Sequence, residues 1–445
     1  MADDDPRVRQ ICVLLRDRRT LTDDRARLRS YVEERPWLDL ERRAAACGDP
    51  GAVLVAPQVL IGSEPTVLLN VFGSRSNAAL EGTWTSVDDL AEEDPAVLAL
   101  LREIDAVVGG DVDAPARRPA WFATSWYDEV DSWIDAELAA LGRTRSGATI
   151  PVKVWSLSAV LKVPCDPAPV WFKASCRHFH AEPALTRLVV EMLPEYAPPM
   201  IATDVERGWL LMEDMPGADE ANEDDPPSGM GATAGRIAAT LHLRSLDHLD
   251  EIEAAGVPVR GLPETVHGFD EILASSVELD QLTHEELATA RALRDDVHAV
   301  VDELASLGIP STLVHGDLHP GNVAHDGDSL TLYDWSDAAV SHPFLDLVHL
   351  TRSMPDDEAE LAMAAYADVW GSAYPGVDVA RALELAPQVN WIFQMVTFEQ
   401  IYHSQEDASY WEMRGVVARS LRKLPERFPR TSDGASAGAG PPPPE

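Results

Sequence analysis

Leu313-Val314-His315-Gly316-Asp317-Leu318-His319-Pro320-Gly321-Asn322-Val323 is the stretch on which the reading of this chain turns. Apolar residues lead into a His-Gly-Asp turn, and an Asn stands five positions after the Asp. Twelve residues beyond Asn322, the β-like run Ser329-Leu330-Thr331-Leu332-Tyr333 ends on a second acid, Asp334. A carboxylate at the mouth of a tight loop can aim a hydroxyl and take its proton. A side-chain amide and a second carboxylate offer hard oxygens of the kind Mg²⁺ accepts beside phosphate oxygens. These are the parts that phosphoryl transfer requires.

The flanks of this stretch differ in character. Upstream, a helical pattern runs to about residue 306, and downstream it resumes from Asp356 to Leu424. Farther upstream the chain is strand-rich. Val152 to Val163 is β-rich, a Pro-containing turn follows at 164–169, and Val170-Trp171-Phe172-Lys173-Ala174 completes a strand–turn–strand unit. Leu185, Leu188, Val189 and Met192 give residues 181–193 a helical face. Trp209-Leu210-Leu211-Met212 is a further strand, and Trp121 to Leu141 an amphipathic helix ending near Gly142.

The first 120 residues predict a small α/β accessory region. Residues 1 to about 45 are charged and read as helical. Two β-like runs follow, Ala52–Val55 and Thr66–Phe72, separated by Gly62-Ser63-Glu64-Pro65. Ser86 stands where a helix cap would. Asp111 to Pro119 is a Pro- and Ala-containing linker. The acidic segment 218–229 reads as a mobile loop, and the Ser/Gly/Ala/Pro-rich tail 431–445 as disordered. The predicted domains are therefore 1–120, 121–217, 218–430 and the tail.

Composition removes several functions. The chain has 445 residues, a 45% hydrophobic fraction and a net charge of −39. Such a surface repels nucleic acid and anionic lipid. No apolar run reaches the ~20 residues of a membrane helix. The acidic start, Met1-Ala2-Asp3-Asp4-Asp5, lacks the basic and apolar regions of a secretory signal, so the expected location is the cytoplasm. Cys12, Cys47, Cys165 and Cys176 are scattered and form no C-x-x-C pair, which argues for free thiols. Of the basic residues, 32 are Arg and only four Lys. Lys153, Lys162 and Lys173 fall within 21 residues, a clustering that suits a site needing a compact point charge.

Residues from about 145 to 430 resemble the aminoglycoside phosphotransferase and choline kinase superfamily. Three blocks in order carry the resemblance: Val170 to Ala174, His315 to Asn322, and Leu332-Tyr333-Asp334-Trp335. It implies an α+β, protein-kinase-like fold of two lobes, a small strand-rich N-lobe and a larger helical C-lobe. It implies ATP and Mg²⁺ as cofactors and a small-molecule acceptor. Asp317 would be the catalytic base that takes the hydroxyl's proton, Asp334 the main metal ligand and Asn322 the second. Met212-Glu213-Asp214-Met215-Pro216-Gly217 resembles the hinge, where backbone groups of Glu213 and Met215 would meet adenine. Asp346 resembles an acid that braces the catalytic loop.

Other residues follow from their own chemistry. A strand lysine such as Lys173 can neutralise ATP phosphates if a carboxylate holds it. Glu182 shares a helix face with Leu185 and Val189, whereas Glu191, nine residues later, faces the other way and is held in reserve. The stretch expected to cover the phosphates, Trp155-Ser156-Leu157-Ser158-Ala159, has no glycine, a departure from protein kinases. Ser156 and Ser158 would supply hydroxyl or backbone donors there. His315 and His319 lie in a turn with no third ligand at recognisable spacing, so zinc is set aside and His315 is expected to brace the loop. Only eleven residues separate Asp334 from Asp346, too few for the activation segment of a protein kinase. The acceptor is then a small molecule held by the large lobe, with acids such as Glu399 as lining. It could be an aminoglycoside, choline, a sugar or another metabolite alcohol. The alternative is a nucleotide-binding pseudokinase that transfers nothing.

Overall fold

A computed structural model describes residues 8–429, without 24, 29–30, 34–39, 50, 63–65, 76–79, 81, 92–93, 219–228 and 327–328. The predicted tail 431–445 and nearly all of the predicted loop 218–229 lie outside these residues, as does most of the turn before Thr66.

The N-terminal region is a mixed seven-stranded sheet: β1 (Val8–Arg16), β2 (Arg19–Thr22), β3 (Tyr31–Glu33), β4 (Val53–Leu54), β5 (Val59–Ile61), β6 (Thr66–Gly73) and β7 (Thr83–Ser86). The order is β4-β6-β1-β2-β7, with β3 also on β1 and β5 on β6. β1 and β6 are parallel, pairing from Val8↔Thr66 to Leu15↔Gly73. Two helices accompany the sheet, α1 (Leu40–Ala46) and α2 (Pro95–Val108).

The helical reading of residues 1 to about 45 is thus corrected: its described residues are mainly the strands β1, β2 and β3, and helix begins only at Leu40. The apolar run Ile11-Cys12-Val13-Leu14-Leu15 is unbroken because β1 is covered on both faces. Cys12 and Leu14 enter one core and Val13 and Leu15 the other. Dense charge around the strand hid this in the sequence. Ser86 accepts from Asp88 N–H, but it caps only a single 3₁₀ turn, Val87–Asp89. The helix begins later, where Asp94 caps the amides of Ala96 and Val97 ahead of Pro95 at the first helical position.

α3 (Thr124–Ala140) packs behind a five-stranded antiparallel sheet, ordered β11-β12-β10-β9-β8. Its strands are β8 (Ile150–Val154), β9 (Ser158–Val163), β10 (Val170–Ser175), β11 (Met200–Asp204) and β12 (Trp209–Glu213). The β-rich stretch 152–163 therefore reverses at Ser156, where Trp155 N–H donates to Ser158 O at 3.1 Å. Val130, Ile134 and Phe172 share one continuous core with Leu14, Leu54 and Phe72 of the N-terminal sheet.

Helix α4 (Glu182–Met192) follows β10. Its apolar residues Leu185, Val189 and Met192 belong to the core of the helical lobe, beside Leu241, Leu313 and Trp335. It therefore fastens the sheet to the helices and carries Glu182 to their junction. The helical lobe contains α5 (Gly231–Ser245), α6 (Leu249–Ala254), α7 (Leu262–Ser275), α8 (His284–Ala292) and α9 (Arg294–Ser306). Four short strands interrupt it: β13 (Thr312–Val314), β14 (Val323–Asp326), β15 (Ser329–Leu332) and β16 (Ala339–Ser341). β13 pairs with β16 and β14 with β15, both antiparallel. It closes with α10 (Phe344–Thr351), α11 (Asp356–Ala373), α12 (Val379–Ser404), α13 (Val416–Arg422) and α14 (Leu424–Arg427). The result is the expected two-lobed, protein-kinase-like α+β fold with an added N-terminal sheet. No described helix is long and apolar enough to cross a membrane.

Candidate active site

Lys173 lies mid-strand in β10, opposite Val160 on one side and Leu210 on the other. Its ammonium sits 2.6 Å from Glu182 Oε1 and 2.7 Å from Asp334 Oδ1. Lys173 is 6% exposed and Glu182 3%, so the ion pair is dry on that side. Ser175 Oγ donates to the other oxygen of Glu182. Burial works against the lysine's charge, but Asp334 and Glu182 outweigh it and hold the ammonium above its ordinary pKa. Burial also works against the charge on Asp334. The charge and hydrogen bond of Lys173, with a hydrogen bond from Ser336, prevail and hold that carboxyl well below its usual range. Asp334 is ringed by protein yet 38% accessible, as a group on the floor of a cleft is. Its backbone is left-handed, φ 64° and ψ 67°. That conformation costs a residue with a Cβ about 1–3 kcal/mol, and it turns the carboxylate onto Lys173.

The 315–322 loop is held from behind by Asp346 at the start of α10. Its carboxylate accepts from His315 N–H at 2.6 Å and Gly316 N–H at 2.9 Å. His242 Nε2 lies 3.1 Å from the same group, and Nδ1 of that ring lies 2.9 Å from the Tyr366 hydroxyl. Gly316 has φ +84°, and a Cβ there would run into the backbone of Asp337. His315 Nε2 bonds to Tyr333 O at 3.0 Å, so the loop is tied to the segment that presents Asp334.

Asp317 faces two histidines, His319 at 3.5 Å and His349 at 3.7 Å. Burial would raise its pKa, but the hydrogen bond of His319 and the surrounding imidazoles bring it below the ordinary value. Asn322 donates through Nδ2 to Asp317 O at 2.9 Å, with Oδ2 of the same residue at 3.4 Å. Its amide oxygen is thereby turned the other way, and among the described residues nothing donates to it. Asp334 Oδ2 likewise has no donor there, since Lys173 and Ser336 both use Oδ1. Two hard oxygens at one cleft floor match the sparse protein donor set of Mg²⁺. No cluster of three His, Cys, Asp or Glu suited to a metal occurs among the described residues.

A cavity of about 230 Å³ adjoins this cluster, lined by Val160, Trp171, Leu210 and Met212 above and Tyr333 and Trp335 below. Met215 reaches its wall, and its carbonyl accepts from Ala218 N–H at 3.0 Å. Glu213 ends β12 beside it. The Glu213 carboxylate is taken by Arg143 Nη1, 2.7 Å from each oxygen, which leaves the expectation for its backbone untouched. Asp214 also lines the cavity and accepts from the Trp171 indole at 2.7 Å.

The two serines are not brought to the cluster. Ser156 Oγ lies 2.5 Å from both Glu412 Oε2 and Gln405 Nε2, and Ser158 Oγ accepts from the Trp155 indole at 2.8 Å. The Ser156 hydroxyl is thereby spent on Glu412 and Gln405, whereas Ser158, an acceptor here, keeps its own O–H. Lys153 stands where these serines do not. Lys153 pairs with Val160, and Val160 with Lys173, so the two lysines share one face of the sheet, one strand apart. Its ammonium lies 4.4 Å from the Trp155 ring centroid. Surrounding protein depresses its pKa and Lys173 adds to this, while Asp334, Asp317 and Glu412 oppose it.

Sequence reasoning noted the lysine cluster but gave Lys153 no role. It also missed His242, His349 and Arg260. Arg260 is buried and donates to Thr397 Oγ1 at 2.9 Å and to the Asp337 backbone carbonyl. None of the three sits in a motif, and only the folded chain carries them to the loop. Glu399 lines a separate cavity of about 550 Å³ with His178, Glu271 and His403, and accepts from Ser276 Oγ at 2.9 Å.

The model of the phosphotransferase enzyme family (APH) matches residues 138–383. Among solved structures, the chain is similar to macrolide 2'-phosphotransferase MphH from Brachybacterium faecium, at 19% identity and TM-score 0.46, over 65% of this chain and 98% of that one. It is similar to a choline/ethanolamine kinase family protein from Mesorhizobium loti, at 16% identity and TM-score 0.45, over 66% of this chain and 96% of that one. It is also similar to choline kinase LicA from Streptococcus pneumoniae, at 13% identity and TM-score 0.44, over 66% of this chain and 99% of that one. No curated protein matches the sequence.

Proposed function

The chain belongs to the phosphotransferase enzyme family, and from that premise we propose that it transfers the γ-phosphoryl group of Mg²⁺-ATP to a hydroxyl of a small molecule. The observation that carries this is the convergence on one cleft floor of Lys173, held by Glu182, with Asp334, Asn322 and Asp317. Each has the chemistry for one part of the reaction. Lys173 and Lys153 hold phosphate oxygens by charge. Val160, Trp171, Leu210 and Met212 wall the base, and Met215 offers it a backbone edge. Asn322 and Asp334 would hold the metal ion, which supplies charge neutralisation between the phosphates when bound. Asp317 orients the acceptor hydroxyl and receives its proton. His319 keeps Asp317 ionised and ready for that role. The acidic cavity around Glu399 and Glu271 suits an acceptor that carries an amine.

The test is mass spectrometry of a panel of amino alcohols and sugars incubated with ATP and Mg²⁺, looking for the mass of one added phosphoryl group. Asp317→Asn should lower kcat by about 10²- to 10⁴-fold while nucleotide still binds. Wild-type rates in that variant would remove Asp317 from the chemistry. Nucleotide binding with no product from any acceptor would favour a pseudokinase.

A further inference from the structure

The largest cavity described, about 620 Å³, does not contain Lys173, Asp317, Asn322 or Asp334. It lies on the opposite face of the N-lobe sheet. Ala174 and Trp209 line it, and these pair with each other and alternate with Lys173 and Leu210. Its lining holds Arg117, Arg118, Arg177, Arg207 and His180, and not one Asp or Glu. The chain has 75 acidic and 36 basic residues. A lining with four arginines and no acid is therefore far from what this surface would give at random.

Two of the four arginines are already neutralised. Arg118 pairs with Glu406 at 3.1 Å, and Arg207 with Asp204 and Glu129 at 2.7 and 2.9 Å. The other two are not. Arg117 donates only to neutral groups, the Gln405 carbonyl at 3.1 Å and the Tyr410 hydroxyl at 3.0 Å. Arg177 has no acid partner among the described residues. Two guanidiniums without a counter-charge, facing one concave space, favour an anion by charge and by their forked donors. The volume lies within the range of small-molecule sites, not that of a protein interface. The indole of Trp209, with Arg207 stacked at 4.2 Å, adds an apolar wall.

We propose that this cavity binds a small anionic ligand bearing a phosphate or carboxylate group, held by Arg117 and Arg177. The site is distinct from the phosphoryl-transfer cleft and its existence does not rest on that activity. It adjoins the β8–β9 turn through Ser156 and Gln405, which are bonded to each other and both line the cavity.

Titration calorimetry on the full-length protein tests this with two probes, inorganic pyrophosphate and citrate, which separate phosphate from carboxylate recognition. At least one should bind saturably. The Arg117→Gln, Arg177→Gln double variant should weaken that binding by about tenfold or more, the loss of two charge-assisted contacts. The Arg117→Lys, Arg177→Lys variant keeps the charge and should retain most of it. Both arginines are exposed, so an unchanged melting midpoint is expected and checks the fold. Equal binding in all three proteins would place the anion elsewhere and overturn the proposal. So would the absence of saturable binding for both probes.

Discussion

Lys173 holds one positive charge between two carboxylates in a nearly dry setting, and this makes it structural as well as chemical. Lys173→Met should abolish turnover and also destabilise the protein, by about 3 kcal/mol, because Glu182 is left buried without its counter-charge. The loss should be larger at pH 8 than at pH 5, where Glu182 can take up a proton; chemical denaturation at both values checks it. An equal loss at both would mean that Glu182 is not the stranded group. Glu412 shows the opposite sign. Burial raises its pKa from 4.5 to about 7, opposed by hydrogen bonds from Ser156 and Gln405. The folded protein binds that proton more tightly than the unfolded chain, so the benefit is complete below pH 4.5 and is lost as pH rises through 7. Glu412→Gln keeps the shape and removes the titration. Its stability relative to wild type should rise by up to about 3 kcal/mol between pH 4.5 and 8. A flat difference across that window would count against a raised pKa.

At the level of elements, the catalytic loop is fixed by three pieces far apart in the chain. Asp346 of α10 receives its amides, Gln394 of α12 donates to Gly316 O at 3.0 Å, and Arg260 holds the Asp337 backbone that Gly316 packs against. Gly316 is where these meet, in a left-handed turn with no room for a side chain. Gly316→Ala should shift the 315–322 loop, lowering the melting midpoint and reducing kcat by an order of magnitude or more. The strain alone is about 1–3 kcal/mol before the clash is added. Steady-state turnover and thermal melts on the same preparation check both; a fully active variant would show that the loop relaxes freely. Several of these supports were legible. His315 and Asp346 were expected to brace the loop and do so, because their positions are set within or close to the motif. Arg260 and Gln394 were not, since the segment before α7 and helix α12 reach the loop only by packing.

The whole molecule departs most from a simple two-lobe plan at its N-terminus. The seven-stranded sheet does not sit apart as a separate accessory unit. Leu14, Leu21, Leu40, Leu54 and Phe72 lie in the same core as Trp126, Val130, Phe172 and Trp209 of the N-lobe. Trp411 of the helical lobe also donates to Gln58 O at 2.9 Å, so this region touches both lobes. Removing residues 1–110 should expose that core face. Each uncovered Leu or Phe forfeits about 1.5–3 kcal/mol of burial. The expected outcome is an aggregating or largely unfolded 111–445 fragment, measured by yield and by circular dichroism. A folded fragment with the full-length melting midpoint would show the two cores to be independent.

The sequence alone determined the two-lobed α+β fold and the order of its lobes, and it singled out the residues proposed for transfer, because loop spacing and hydrophobic period are local properties. Lys173, Glu182, Asp317, Asn322 and Asp334 could all be named from spacing and helix face. It missed β1 because a strand covered on both faces carries no alternation, and charge around it imitated a surface helix. Only tertiary structure decided which side chains were already engaged. Ser156 and Ser158 have the chemistry of phosphate donors, but Glu412, Gln405 and Trp155 hold their hydroxyls. Lys153 shares a sheet face with Lys173 because three strands align in register. The serine contacts join residues up to 256 positions apart, and the pairing that creates them is a property of the packed chain, not of any stretch within it.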